Sequence, residues 1–212
     1  LVDTSPDRRE QLIDAGVQRL DGVLFTHEHA DHTHGIDDLR PLVIHMRRRI
    51  PIYADAHTGE LLRLRFGYCF SAPPGSDYPP ILDEKRLIER QPVTIEGPGG
   101  PVTALPFRMI HGSIEALGFR FGGVAYASDL NKLPPESEEL LHGLDTLIID
   151  ALRYAPHPSH FSLADALELI ERVSPRRAVL TNLHTDLDYD RLSREVPDHV
   201  VPAYDGMVIA VE

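Results

Sequence analysis

Short apolar runs and longer amphipathic stretches alternate along the chain. The short runs, bounded by glycine or polar residues, are typical of buried β-strands. The longer stretches carry apolar residues at helical spacing, as in residues 162–173, where Ser162 is suited to cap the first turn. The alternation predicts an α/β protein.

The pattern also gives boundaries for individual elements. A turn at Gly122-Gly123 predicts a hairpin, and the prolines and glycine of residues 71–80 exclude regular structure, so a surface excursion is favoured there over a loop that covers substrate. The predicted strands are residues 22–26, 52–54, 93–95, 102–105, 108–110, 117–121, 124–127, 146–149, 178–180, 200–201 and 207–211. The predicted helices are residues 6–15, with Ser5 as cap and Pro6 at the first position, then 36–47, 58–66, 136–142 and 162–173.

Composition narrows the functional classes. A chain of 212 residues with 42% hydrophobic content is long enough for one domain spanning residues 1–212. The formal net charge of −12 argues against an extended nucleic-acid surface, which needs clustered lysine and arginine. A small phosphorylated substrate remains compatible with this charge, because bound cations can supply local positive charge.

Cys69 is the only cysteine, so no internal disulfide can form. No apolar stretch approaches the roughly 20 residues that a membrane span requires, and no signal segment opens the chain. We therefore expect a soluble, cytoplasmic protein with no membrane partner. The sequence leaves a homodimer open.

The candidate chemistry is concentrated in residues 23–35, VLFTHEHADHTHG. Four potential metal ligands, His27, His29, Asp31 and His32, follow the first predicted strand directly. His27 and His29 would share one side of an extended strand, and Asp31 and His32 would sit at the first turn of a helix beginning near Thr33. Imidazole and carboxylate groups suit zinc, manganese or iron. A chance cluster in a polar loop is the weaker interpretation.

Residues 26–32 match the T-H-x-H-x-D-H motif that follows a strand in metallo-β-lactamase-fold hydrolases, and the sequence resembles that superfamily. The continuation GIDDLRPL, residues 35–42, resembles the phosphodiesterase branch, which holds RNase Z and the phosphoribosyl cyclic phosphate phosphodiesterases. The resemblance implies a four-layer αββα sandwich. Since Leu1-Val2-Asp3-Thr4 reads as the end of a strand, the N-terminal strands of that sandwich are expected to be missing from this chain or from the protein.

The resemblance further implies two divalent ions per chain, zinc or manganese with iron as an alternative. Their shared hydroxide would attack a phosphodiester without a separate general base. Residues His111, Asp129 and His184 each follow a predicted strand in the order of the family pattern. The implied ligands are His27, His29 and His111 for one ion, Asp31, His32 and His184 for the other, and Asp129 as the bridge.

Asp31, Asp129 and His160 are the implied catalytic residues. His160 precedes the helix cap Ser162 and matches a family histidine that contacts the substrate phosphate, so it is expected to protonate the leaving oxygen. His157 is the competing choice. Further residues have secondary assignments: Asp3 as a carboxylate beside the ligands or as a helix-entry residue, Asp150 and Asp205 as orienting or substrate-binding groups, and His34, His45, His57, His142 and His199 as packing or surface histidines.

The sequence therefore predicts a binuclear metal-dependent phosphodiesterase acting on a small cyclic, ribosyl or nucleotide phosphate. The runner-up is an RNase Z-like tRNA endonuclease, whose basic, glycine-rich arm has no counterpart in residues 45–95. A glyoxalase II-like or β-lactamase-like hydrolase of esters, thioesters or lactams is a third alternative, although Cys69 lies outside the ligand positions. A metal-binding protein without catalysis is disfavoured because every ligand position is filled.

Overall fold

A computed structural model of the chain describes residues 1–210 and divides into two compact units. The first unit comprises Leu1–Ile88 and Thr94–Val102, and the second comprises Glu89–Val93 and the described residues from Thr103 onward. Each unit has its own apolar core and its own sheet. The one-domain organisation stays a prediction.

The first unit is built on a three-stranded parallel sheet, in the order β1 (Val23–Leu24), β2 (Ile50–Ala54) and β3 (Leu82–Arg86). Its central strand is buried because Ile50, Ile52 and Ala54 alternate toward the core. Asp55 then starts α4 by accepting a hydrogen bond from the Thr58 N–H at 2.7 Å. The elements are α1 (Arg8–Asp14), β1 (Val23–Leu24), α2 (Ala30–Thr33), a 3₁₀ turn (Ile36–Leu39), α3 (Arg40–Met46), β2 (Ile50–Ala54), α4 (Ala56–Phe70) and β3 (Leu82–Arg86).

The second sheet has seven strands, in the order β10 (Val200–Pro202), β9 (Arg177–Thr181), β8 (Thr146–Asp150), β7 (Val124–Ala127), β6 (Ile114–Phe121), β5 (Val102–His111) and β4 (Val93–Ile95). Its strands β5, β6 and β7 pair antiparallel, whereas β7, β8, β9 and β10 pair parallel. The elements are β4 (Val93–Ile95), β5 (Val102–His111), β6 (Ile114–Phe121), β7 (Val124–Ala127), α5 (Pro135–Glu138), a 3₁₀ turn (Glu139–Leu141), β8 (Thr146–Asp150), α6 (Leu163–Val173), β9 (Arg177–Thr181), α7 (Tyr189–Glu195) and β10 (Val200–Pro202).

Strand direction brings several polar side chains to one edge of this second sheet. Because β5 and β7 are both antiparallel to β6, they run the same way as β8 and β9. The carboxyl ends of these four strands therefore lie at the same edge. The polar residues at or just after those ends are His111, Asp129, Asp150 and Asn182.

Several predicted elements are confirmed. The hairpin between β6 and β7 turns at Gly122, whose φ of 58° suits glycine. Helix α6 begins with a reciprocal cap, in which the Ser162 side chain accepts from the Asp165 N–H and the Asp165 carboxylate accepts from the Ser162 N–H. Residues 71–80 are irregular, as their prolines predict. Among residues 1–210, no helix is long and apolar enough to cross a lipid bilayer.

The start of the first helix was predicted wrongly. Helix α1 begins at Arg8 with Asp7 as the preceding residue, two positions after the expected start at Pro6. The Ser5 hydroxyl donates to the Asp7 carboxylate at 2.7 Å and so does not cap the helix. Ser5 thus binds the side chain of Asp7 and not a backbone N–H group of the helix.

Other observed boundaries also differ from the predicted ones, and two of these differences involve prolines. The strands predicted at residues 102–105 and 108–110 form one strand, Val102–His111, which continues through Pro106. The helix predicted at residues 36–47 is a 3₁₀ turn followed by α3, which has Pro41 in its first turn, where the missing N–H costs nothing. Likewise, residues 136–142 form α5 and a second 3₁₀ turn. Helix α4 is longer than the predicted residues 58–66.

Two elements were missed and one prediction was wrong. Strand β3 has the polar sequence LDEKR because only Leu82 is fully buried in this edge strand. Helix α7 is short and amphipathic, and it is capped by the Asp188 side chain, which accepts from the Arg191 N–H at 2.8 Å. Residues 207–210 form no strand, and Val211, which belonged to that predicted strand, lies outside the described residues.

The ligand loop ends in a close contact that can be tested. A methyl group on Gly35 would overlap the backbone carbonyl oxygen of Ser5, so Gly35→Ala should lower the free energy of unfolding by about 1–3 kcal/mol. A methyl group added at Gly67 in α4 would meet no other atom within 4 Å. Gly67→Ala should therefore raise the free energy of unfolding by about 0.5–1 kcal/mol. Urea unfolding followed by circular dichroism measures both effects. A Gly35→Ala protein as stable as wild type would contradict this packing.

Candidate metal-binding groups

The ligand loop brings three imidazoles of the first unit together. The ring centroids of His27 and His29 are 4.6 Å apart, and those of His27 and His32 are 4.2 Å apart. His27 is fully buried, and His29 is exposed at the start of α2. Asp31 has a side chain that is 74% exposed, with one oxygen 3.6 Å from His32 Nε2. The three imidazoles form the first candidate group, and Asp31 lies beside it.

The Asp3 carboxylate contacts two residues of this loop, Thr26 and His32. Its Oδ1 accepts a hydrogen bond from the Thr26 N–H at 2.8 Å, and its Oδ2 accepts from the Thr26 hydroxyl at 2.8 Å. The same Oδ2 lies 2.8 Å from His32 Nδ1. Because a carboxylate only accepts, His32 carries its proton on Nδ1 and presents the Nε2 lone pair. These contacts agree with the interpretation of Asp3 as a carboxylate beside the ligands.

The Thr26 hydroxyl determines which ring nitrogen of His27 carries the proton. The Thr26 hydroxyl hydrogen is donated to Asp3, so its oxygen can accept from His27 Nδ1, which lies 3.0 Å away. This arrangement places the proton of His27 on Nδ1 as well. Nε2 is therefore the nitrogen with which His27 can bind an ion.

The second unit holds another candidate group, at the sheet edge described above. His111 is buried, and its Nδ1 donates to the Ser159 carbonyl oxygen at 2.7 Å, so its Nε2 carries the lone pair. That Nε2 lies 3.9 Å from Asp129 Oδ2. The ligand atoms of His111, Asp129 and His160 all lie within 4.8 Å of one another. Such a set could hold a metal ion.

Asp129 is held in an unusual backbone conformation. Its φ is 68°, which few residues other than glycine adopt, and its carboxylate is buried just after β7. The Ser128 hydroxyl donates to its Oδ1 at 2.9 Å. This leaves Oδ2 as the oxygen nearer to His111.

His160 pairs with a second buried carboxylate. Its Nδ1 donates to Asp150 Oδ2 at 2.8 Å, and the Leu130 N–H donates to the same oxygen at 3.1 Å. Burial raises the pKa of Asp150 despite the opposing hydrogen bond from His160. The His160 ring also lies 4.6 Å, centroid to centroid, from that of His111. His160 thus presents Nε2 beside the His111 ring.

His157, the competing acid, has a different environment. Its Nδ1 accepts a hydrogen bond from the Ser159 N–H at 3.3 Å, within the same loop. Burial and the nearby Arg153 charge lower the pKa of His157. Its ring centroid is 5.1 Å from that of His160. His157 therefore lacks the carboxylate partner that His160 has in Asp150.

Some residues that the sequence predicts as metal ligands or substrate-binding groups lie outside the candidate groups of the structure. The His184 side chain is 57% exposed, with Nδ1 3.2 Å from Asp186 Oδ1, and Asp205 lies in an exposed turn. Within the described part of the chain, neither His184 nor Asp31 joins a set of three ligand atoms within 4.8 Å. Their roles as ligands stay predictions.

Asn182 is a residue that the sequence reasoning missed. Its Nδ2 donates to Asp150 Oδ1 at 3.2 Å, and it lies 3.5 Å from Asp129 Oδ1 and 3.3 Å from His160 Nδ1. An amide is not a usual metal ligand, so the ligand pattern ignored it. The available signal was its position directly after β9, at the same sheet edge as Asp129 and Asp150.

Residues 1–182 match the family described as the Beta-lactamase superfamily domain. The chain belongs to this superfamily of metal-dependent hydrolases. The α/β fold expected from the ligand motif is confirmed.

The structure is similar to several solved proteins. A diphosphatase of the PhnP family is 33% identical, with a TM-score of 0.88, and the match covers 100% of this chain and 79% of that one. The short form of human tRNase Z is 18% identical, with a TM-score of 0.68, over 100% of this chain and 87% of that one, which shows the fold alone. The resemblance to the phosphodiesterase branch is confirmed.

A sequence relative with a different name also matches. The octanoyltransferase of Porphyromonas gingivalis (strain ATCC BAA-308 / W83) is 34% identical over 217 residues. The match covers 100% of this chain but 42% of that protein. The chain thus spans less than half the length of this relative.

The contact between Asp3 and His32 predicts a loss of metal affinity. In Asp3→Asn the amide cannot accept at both of the original oxygen positions, so His32 loses its fixed orientation and affinity should fall about 10- to 100-fold. Competition with a chromogenic chelator measures the affinity, and ¹⁵N NMR of the imidazoles reports the tautomer. Asp14→Asn, at the exposed end of α1, is the matched control and should change neither. Wild-type affinity in Asp3→Asn would exclude the orienting role.

Proposed function

We propose that the chain is a binuclear metal-dependent phosphodiesterase acting on a small cyclic, ribosyl or nucleotide phosphate. In this proposal His27, His29 and His111 would hold one ion, Asp31, His32 and His184 would hold the other, and Asp129 would contact both. Superfamily membership supports the metal-dependent hydrolysis. Similarity to a PhnP-family diphosphatase over most of both chains supports a phosphate-containing substrate.

One feature of the donor set carries the proposal: three of its histidines, His27, His32 and His111, carry their proton on the same ring nitrogen, Nδ1. His27, His32 and His111 each have Nδ1 against an oxygen, at 3.0, 2.8 and 2.7 Å respectively. Histidines that bind metals in proteins are held in this way, because the Nδ1–H contact orients the ring and makes Nε2 more basic. The described side chains therefore fit a divalent ion.

The chain's thiol does not belong to this donor set. Cys69 is fully buried, its Sγ lies 3.8 Å from an Asp37 oxygen, and burial raises the pKa of its thiol to about 11. A thiolate ligand of the β-lactamase type is thus disfavoured. Nitrogen and oxygen donors favour zinc, manganese or iron.

Two divalent ions, when bound, polarise a phosphoryl oxygen and lower the pKa of water. The chain must still provide a proton for the departing oxygen. His160 is suited to this task because Asp150 accepts its Nδ1–H, which fixes the ring and stabilises its protonated form. Nε2 is then the atom that gives the proton. The Asn182 amide donates a hydrogen bond to the other oxygen of Asp150, which helps to fix the orientation of the carboxylate.

The alternatives are less well supported. A tRNA endonuclease needs an extended cationic surface, whereas this chain has a net charge of −12. Octanoyl transfer is the named activity of a relative more than twice as long, and a covalent thioester route would need an accessible thiol, which buried Cys69 does not provide. A cytoplasmic location and a homodimer stay predictions.

Metal analysis tests the proposal first. The purified protein should hold about two divalent ions per chain. Asp129→Ala should reduce the occupancy of both, because the bridging carboxylate offsets the mutual repulsion of the cations. Asp190→Ala, which removes an exposed carboxylate on α7, should keep both ions. Zero or one ion in wild type after reconstitution, measured by plasma mass spectrometry, would reject the binuclear centre.

The role of His160 predicts a dependence on the leaving group. His160→Ala should retain its metals and hydrolyse a cyclic ribose phosphate about 100- to 10,000-fold more slowly. The loss should be much smaller for a nitrophenyl diester, because nitrophenolate departs without a proton. His157→Ala is the matched control and should stay within a few-fold of wild type on both substrates. Equal losses on the two substrates would leave His160 with phosphate binding only, and lost metal would make it a ligand.

A further inference from the structure

A groove lies beside the ligand loop within the first unit. Its volume is about 620 Å³. It opens next to His29, a predicted metal ligand, so a substrate bound at the ions would have room to extend into it. The lining residues are Glu28, His29, Ala30, His34, Arg65 and Phe66.

Glu28 contributes a buried carboxylate to the wall of this groove. Its side chain is only 9% exposed, and its Oε1 lies 3.5 Å from His57 Nε2. Its Oε2 makes no hydrogen bond with any residue among those described. A buried acceptor without a donor is unfavourable, so a ligand that supplies a donor is favoured here. Glu28 joins no metal-capable group in the described chain, which argues against a cation.

Arg65 lines the groove with the complementary donors. One of its guanidinium N–H groups donates to the backbone carbonyl oxygen of Glu28, which ties α4 to the ligand loop. A guanidinium has five N–H donors in a planar fork, so one such contact leaves donors for a ligand. A carboxylate and a guanidinium side by side match a diol, in which each hydroxyl both donates and accepts.

The remaining wall is formed by two rings. His34 and Phe66 pack edge to face with their centroids 5.6 Å apart. Phe66 has φ −127° and ψ 34°, which interrupts the helical geometry of α4 at the position that lines the groove. Flat apolar surface beside polar groups suits the C–H face of a sugar ring. The four side chains together therefore present an acceptor, a donor and an apolar wall.

We propose that this groove binds the hydroxylated sugar of the phosphodiester substrate, with Glu28 as the residue that selects for a hydroxyl group and Arg65 as its partner. The inference deepens the proposed phosphodiesterase function and rests on it. A substrate lacking the hydroxyl would leave Glu28 Oε2 buried without a donor, which is how a polar site rejects a deoxy analogue.

Competitive inhibition tests the groove. Ribose 5-phosphate, 2-deoxyribose 5-phosphate and methyl phosphate would compete with hydrolysis of bis(p-nitrophenyl) phosphate by the metal-loaded enzyme, and calorimetry would measure the same three ligands directly. Wild type should bind ribose 5-phosphate about 10- to 100-fold more tightly than the deoxy sugar, the usual worth of a hydrogen bond to a charged group. Glu28→Gln and Arg65→Met should each reduce this preference to about 3-fold or less.

The controls separate selection from general damage. Affinity for methyl phosphate, which has no hydroxyl, should be unchanged in both variants, as should metal content. Glu60→Gln and Arg63→Met change exposed residues of α4 that do not line the groove, and they should keep the wild-type preference. Equal affinity of wild type for the two sugars, or an undiminished preference in Glu28→Gln, would overturn the proposal. Absence of diester hydrolysis alongside a sugar preference in calorimetry would instead reject only the phosphodiesterase function.

Discussion

The candidate chemistry depends on one constraint: an imidazole that is largely withdrawn from water needs an oxygen acceptor for its Nδ1–H. Asp3 meets this need for His32, the Ser159 carbonyl for His111, and Asp150 for His160. Each contact fixes the orientation of the ring and assigns the lone pair to Nε2. Removing an acceptor would leave the ring free to rotate or to change tautomer. The oxygen acceptors are therefore as much a part of the candidate groups as the histidines.

Three polar residues of the candidate groups have an unfavourable backbone conformation. Asp3, Asp129 and Asn182 all have φ between 55° and 68°, a left-handed conformation that is unfavourable for residues with a Cβ. Asp129 and Asn182 lie just beyond strands, and Asp3 follows the bridge of Val2 to Leu24. The strain is stabilised by the hydrogen bonds that each side chain then makes.

The buried carboxylates differ in whether their oxygens have hydrogen-bond donors. Among the described residues, Asp3 and Asp150 each accept hydrogen bonds from three groups, one of which is a histidine ring. Glu28 has one oxygen that lacks a donor among the described residues and lines a groove beside His29. In our proposals the first kind positions groups for catalysis, and the second selects the substrate. The chain's negative charge thus reflects local function as well as surface composition.

The sequence alone determined what neighbouring residues control: the ligand motif of residues 26–32, the cap of α6, the Gly122 turn, and the placement of His111 and Asp129 at strand ends. Only the tertiary structure revealed Asn182, the polar strand β3, and the different environments of Glu28 and His29, adjacent residues of one motif. The reason is physical. Asn182 contacts Asp150 across 32 positions and approaches Asp129 across 53, and the spacing of apolar residues along the chain does not reveal such long-range contacts.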